Sequence, residues 1–225
     1  MSKGARLAGI LVGALVVVGI VAGFAINYLA YYPPTVKAQA TGKPGVYNLE
    51  LQTVPSMGTG SHPTWVSYLV KSNGKWVHST IFQIPANSLV HVTVKEYDTA
   101  GPLRNATWGL PRGLVGSEAV NGKPVAIVNP NSKTSSVAHT FTIPRLNVNV
   151  PLEGISPNTP SSQTCSVAPC TPNFKHNVIT FSFRTNTVGN YHWQCFVPCG
   201  LGYLDGNGGP MATVGYMGGF IKVVA

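Results

Sequence analysis

The chain has 225 residues, only 9% of them charged, with 15 Lys and Arg against 6 Asp and Glu and a formal net charge of +9. That length holds one medium domain and a short appendage, and the basic residues form no Arg- or Lys-dense stripe with interleaved aromatics, which excludes a nucleic-acid-binding surface. A carboxylate-poor surface suits an acidic milieu, where ionised acids would lose their pairings, and a basic one repels basic protein partners.

In chain order, the first feature is a run from Leu7 to Ala30 that is apolar except for Asn27. It is long enough to cross a hydrocarbon core of about 30 Å as a helix. Lys3 and Arg6 stand before it and orient the N-terminus toward the cytoplasm. Tyr28, Tyr31 and Tyr32 form an aromatic group at the far end, and Pro33 and Pro34 stop the helix. The rival reading is a cleavable signal peptide, since Ala38-Gln39-Ala40 has the small-residue pattern of a cleavage site. A signal core spans about 7–15 residues, and this run is longer. The expectation is therefore a single-pass protein of the cell membrane. Residues 1–6 would be cytoplasmic, 7–32 the anchor, 33–45 a linker, and 46–225 an exterior domain. Without Lys3 and Arg6 the exterior part keeps thirteen basic and six acidic residues, a net +7.

Beyond the linker, short alternating segments recur between turn residues, the pattern of an all-β antiparallel sandwich. They cover residues 46–54, 76–84, 89–96, 125–129, 137–143, 177–184, 189–196 and 219–224, with irregular loops at 151–176 and 201–216. No segment after residue 45 carries a helical period. All four cysteines lie in this part, where disulfides persist. Cys165 and Cys170 fall in a Pro-, Ser- and Thr-rich stretch and read as a loop-closing disulfide. Cys195 and Cys199 allow either a second disulfide or a metal site.

The most informative stretch is Tyr191-His192-Trp193-Gln194-Cys195-Phe196-Val197-Pro198-Cys199-Gly200. At the strand period of two, Tyr191, Trp193 and Cys195 face inward and His192 faces outward. Two thiolates four residues apart can address one metal position, and His139 sits on a strand face shared with Phe141 and Ile143. A histidine on such a face is by default a satisfied core residue, and the cysteine pair is what makes a metal an equal reading. Thiolate plus imidazole selects copper or zinc over hard cations. His91 reads as a surface residue, and His62, His78 and His176 are assigned nothing.

These motifs resemble subunit II of the heme-copper terminal oxidases. The matching residues are His139, Phe141, Pro144 and Leu146, then Gly189 and Tyr191, then Cys195, Cys199 and Gly200, and a final strand from Met217 to Val224. The resemblance spans roughly residues 75–225 plus the anchor. It implies a Greek-key, cupredoxin-like β-sandwich, a membrane setting, a catalytic heme-copper oxidase subunit as partner, and a dinuclear copper centre called CuA. In that centre both thiolates bridge, each copper takes one histidine, and a methionine and a backbone carbonyl complete the set. The residue offering that carbonyl corresponds to Val197.

The departures are as specific. Tyr203 stands where the family has its second histidine, no histidine follows His192, and residues 204–215 are an insertion before the final strand. The methionine would be Met217 or, less naturally, Met211. Three readings stay open. The copper centre is lost, as in quinol-oxidising members; or one copper remains on His139, Cys195 or Cys199, and Met217; or a histidine outside the motif substitutes. The function expected is a subunit-II-like component of a terminal oxidase, receiving electrons from quinol or from a carrier protein that is not basic. A tethered mononuclear blue copper carrier and a copper-free structural module are the alternatives.

Overall fold

Ser2 begins the first helix, its side chain accepting the Ala5 N–H at 3.3 Å. Helix α1 (Lys3–Phe24) buries none of its residues and is long and apolar enough to cross a membrane. The structure is a computed structural model that describes residues 2–26, 32–101, 103, 105–125, 136–199 and 209–225. Tyr28 and Tyr31, most of the expected strand at 125–129, Tyr203 and Asp205 lie outside the described residues. The chain divides into two units after Tyr32.

The second unit is built from strands β1 (Thr35–Lys37), β2 (Gln39–Ala40), β3 (Val46–Val54), β4 (Ser67–Ser72), β5 (Lys75–Val77), β6 (Ile81–Pro85) and β7 (Leu89–Glu96). There follow β8 (Ala119–Val120), β9 (Lys123–Pro124), β10 (Val137–Ile143), β11 (Val148–Glu153), β12 (Asn177–Arg184), β13 (Gly189–Gln194) and β14 (Gly218–Val224), with a one-turn helix α2 (Gly209–Ala212) before β14. One sheet has the order β1-β6-β14-β13-β10-β11, the other β5-β4-β3-β7-β12-β8-β9 with β2 beside β3. Consecutive strands cross between the sheets, as from β11 to β12 and back to β13. The fold is the expected all-β sandwich of two sheets with one N-terminal apolar helix.

Alternation explains why the predicted strands form. In β12, Ile179, Phe181 and Phe183 are buried while Thr180 and Arg184 are exposed. In β13, Tyr191 and Trp193 are buried and His192 is exposed. The core between the sheets centres on Trp193, fully buried against Tyr68, Phe82 and Phe141, with its indole N–H donated to the Thr80 carbonyl at 3.0 Å. Gly219 faces the same carbonyl. A Cβ there would lie 2.1 Å from the Thr80 oxygen, so β14 approaches β6 only because position 219 is glycine.

Three expectations need correction. Residues 33–45 are more than a linker, since β1 pairs in parallel with β6 and β2 antiparallel with β3, and Val36 is buried in the core. A single valine between two prolines and a lysine carries too little period to announce a strand. The expected strand at 76–84 is two strands in different sheets. Its middle leaves the ladder because Ser79 Oγ donates to the Pro34 carbonyl and Thr80 Oγ1 to the Gly218 carbonyl. The strand expected to run to residue 196 ends at Gln194, where the backbone turns into the cysteine loop.

Cys165 and Cys170 are disulfide-bonded, and the bridge packs into a second apolar cluster with Val54, Met57, Leu69, Tyr97 and Tyr216. The Cys170 N–H is donated to Gln52 Oε1 at 2.8 Å, which ties the loop to β3. Replacing both cysteines by serine is expected to cost about 2 kcal/mol on the chain-entropy account of so short a loop. A denaturant midpoint identical to that of the parent chain would show that packing alone holds the loop.

Candidate metal centre

His139 is fixed by β10, between β11 and β13, and its ring is almost wholly buried at 3% exposure. Cys195 follows the last residue of β13, and Cys199 closes the loop that begins there. The loop is pinned at its start. The Cys195 N–H is donated to the Met217 carbonyl at 2.8 Å, and the Phe196 N–H to Thr140 Oγ1 at 2.9 Å.

This brings three donor atoms together. His139 Nδ1 lies 3.1 Å from Cys199 Sγ and 3.8 Å from Cys195 Sγ, and the two sulfurs are 3.3 Å apart and not bonded. Among the described residues these three form the one group of histidine, cysteine and acidic side chains spaced to hold a metal. The Val197 carbonyl lies 2.9 Å from Cys199 Sγ and 3.5 Å from Cys195 Sγ. Backbone N–H groups of Thr140 and Val197 are donated to Cys195 Sγ at 3.3 and 3.4 Å.

The two candidate methionines are placed differently. Met217 is fully buried in the same core cluster as the cysteines, and its carbonyl holds the Cys195 N–H. Met211, on α2, brings its sulfur to 3.4 Å from the Cys199 N–H. The other histidines stand elsewhere. His91 is exposed and bonded to Ser182 Oγ at 2.7 Å, His192 is exposed beside Phe220, and His176 stacks on Tyr97. His62 stacks on Trp65 and His78 meets the edge of Tyr216.

Sequence reasoning missed two acids behind the histidine. Asp98 Oδ2 lies 3.1 Å from His139 Nε2, and the fully buried Glu96 accepts hydrogen bonds from Thr53 Oγ1 and the Asp98 N–H. In a chain with only 6 carboxylates, Glu96-Tyr97-Asp98 at the end of a strand is itself a signal. With a metal bound, giving Nε2–H to Asp98 would leave the Nδ1 lone pair for the metal, the tautomer a metal ligand needs.

The electrostatics divide the roles of the two sulfurs. Burial pushes the Cys195 thiol up, but the Cys199 hydrogen bond and His139 outweigh it and hold Cys195 well below its ordinary range, as thiolate. The hydrogen bond to Cys195, then burial, push Cys199 well up, so it keeps its proton. Burial pulls His139 down, and Glu96, Asp98 and Cys195 together reverse this and raise it well above 6.5. Burial raises Glu96 to about 7.

The donor set tests what could bind. One imidazole nitrogen, two sulfurs and a thioether, out of water, form a soft site that fits copper or zinc and excludes hard cations. They offer one metal position a near-complete set, and no second imidazole nitrogen joins it among the described residues.

No protein-family model and no curated protein matches the chain. Solved structures do. The metal-binding domain of the Cu(I)-exporting P-type ATPase CopA of Streptococcus pneumoniae is 10% identical, covering 87% of this chain and 100% of that one with a TM-score of 0.36. A chain of a heme-copper terminal oxidase dimer is 15% identical over 98% and 99%, at 0.34. Rusticyanin from Thiobacillus ferrooxidans is 14% identical over 84% and 82%, at 0.35.

Proposed function

We propose that this chain is a membrane-tethered, copper-holding electron-transfer module of subunit-II type, working beside a heme-copper catalytic subunit, with its β-domain on the exterior side. The observation that carries the copper is the buried convergence of His139 Nδ1 with the two sulfurs within 4.8 Å. The oxidase setting rests on the motif resemblance and on the apolar N-terminal helix. His139, Cys195 and Cys199 would be the principal ligands, with the thioether taken first from Met211, whose sulfur reaches the loop, and otherwise from Met217. Bound there, copper supplies one-electron chemistry between Cu(I) and Cu(II). The protein's own contribution is to exclude water, to keep Cys195 ionised and to hold the imidazole by Asp98.

Copper added to the full chain in detergent is expected to bind at one equivalent, with a sulfur-to-copper absorption that Cys195→Ser removes. Two equivalents with a mixed-valence paramagnetic signal would establish the dinuclear centre instead. The copper-free structural reading draws on one specific observation, the unbonded sulfurs 3.3 Å apart, close enough to oxidise to a disulfide. No uptake of copper by the reduced chain would select it.

The donor proposed for the complex is quinol or a carrier that is not basic. The exterior carries only 6 acidic residues, and a basic cytochrome c needs an acidic docking surface. Fast oxidation of cytochrome c that slows as salt is raised would overturn this choice.

A further inference from the structure

An aromatic pair lies beside the cysteine loop, whose Pro198 is exposed. Phe196, bonded in sequence to Cys195, stacks on Trp108 with ring centroids 4.1 Å apart and planes 14° from parallel. Both rings are half-buried. Trp108 belongs to a helical turn (Ala106–Gly109) whose start is capped by Asn105, the side chain accepting the Thr107 N–H at 3.0 Å. That turn is locked to the sheet. Asn149 of β11, 1% exposed, donates to the Trp108 and Leu110 carbonyls at 3.1 and 2.8 Å and accepts from Thr142 Oγ1 at 2.7 Å. Arg112 and Asn149 also exchange two backbone hydrogen bonds, at 2.9 and 3.0 Å.

Over the Trp108 ring lies the Arg112 guanidinium, 5.8 Å from its centroid. Its Nε is buried with no hydrogen-bond partner, and Arg112 makes no ion pair among the described residues. Three other cations of the domain are engaged. Lys71 and Lys95 both pair with Glu50 at 3.0 Å, and Arg145 lies on Tyr191 and donates to the Asn190 carbonyl. A guanidinium lying on an aromatic ring and outside any ion pair among the described residues is suited to receive a planar carboxylate through its outer nitrogens.

We infer that Trp108, Phe196 and Arg112 form a docking port for an electron-carrier protein that presents carboxylates, the Arg112 fork receiving a carboxylate and the Trp108–Phe196 stack leading to Cys195. This rests on the copper reading of the cysteine loop and sharpens its donor to an acid-faced protein rather than a quinol. In the transfer one electron leaves the carrier, which is oxidised. It would arrive at a copper held by Cys195, which would go from Cu(II) to Cu(I), with no bond made and no proton moved. The port adds directionality. A basic carrier meets Arg112 first and is turned away, while an acidic one is oriented with its redox group over the indole.

Docking is tested without copper. Hexacyanochromate(III), a redox-inert paramagnetic anion, added to the copper-free full chain in detergent should broaden the Trp108 indole resonance before those near Lys75, an exposed cation on β5. Arg112→Gln should remove that preference, and Lys75→Gln should leave it. Even broadening around all basic side chains would overturn the port. Transfer is tested on the copper-loaded chain with hexacyanoferrate(II) as donor. Trp108→Leu should slow reduction at least 10-fold while leaving the copper absorption unchanged. Equal rates in the variant and the parent chain would overturn the path, as would a soluble quinol that reduces the parent chain faster than hexacyanoferrate(II) and ignores Arg112→Gln. A chain that binds the anion at Trp108 but takes up no copper would leave the docking surface standing and remove the copper reading.

Discussion

Asp98→Asn is expected to weaken copper binding about 10- to 100-fold, the usual cost of losing an anion hydrogen-bonded to a metal-ligating histidine. Asp98 sits 3.1 Å from His139 Nε2, and the hydrogen bond to His139 holds its carboxylate ionised against the opposing effect of burial. Asparagine can still accept the Nε2–H through its amide oxygen, so the ring keeps its orientation while the negative charge goes. Asp98→Ala removes both and should cost more. Competition with a chromophoric copper chelator reads the affinity directly, and circular dichroism checks that the sheet persists. Unchanged affinity in both variants would mean that strand packing alone orients the imidazole.

Glu118→Gln is expected to stabilise the protein in alkali and to change nothing in acid. Glu118 is 2% exposed, and its Oε2 has no hydrogen-bond partner among the described residues. Burial, and then the neighbouring Glu153, push its pKa up to about 8. The sign follows from linkage. Below the unfolded value of about 4.5, folded and unfolded chains both hold the proton, and the group costs nothing. As pH rises from there toward 8, the unfolded chain releases a proton that the folded chain keeps, and stability falls. Above about 8 the loss is complete. Glutamine is neutral throughout, so the gain should be on the order of 5 kcal/mol at pH 9 and near zero at pH 4. Denaturant unfolding across that range measures it, and parallel curves for the two chains would refute it. Glu153 is also raised by burial, so its contribution falls with rising pH in the same sense.

Much of the fold was legible because its strands alternate. The bounds of β3, β7, β10 and β12 coincide with the sequence reading, each being a run whose apolar residues recur at two. The strands missed were short or lacked a period. Two of the missed hairpins nonetheless carry the strongest local turn signal. Asn73-Gly74 joins β4 to β5 and Asn121-Gly122 joins β8 to β9, with φ of 49° and 77° in the first and 50° and 78° in the second, as primed turns require. Of the site, His139 and the two cysteines were legible through spacing. Met211 was named from the sequence as the less natural methionine. Asp98 and Glu96 were not legible, because they reach the site from a strand end whose convergence with β10 only the packed sheets create.

Residues 35–37 and 39–40 are strands of the second unit rather than a leash. Thr35 to Lys37 run along β6, itself hydrogen-bonded to β14, and Gln39 and Ala40 pair with β3. A truncation placed at residue 46 would therefore strip one strand from each sheet and expose a fresh edge for other chains to pair with.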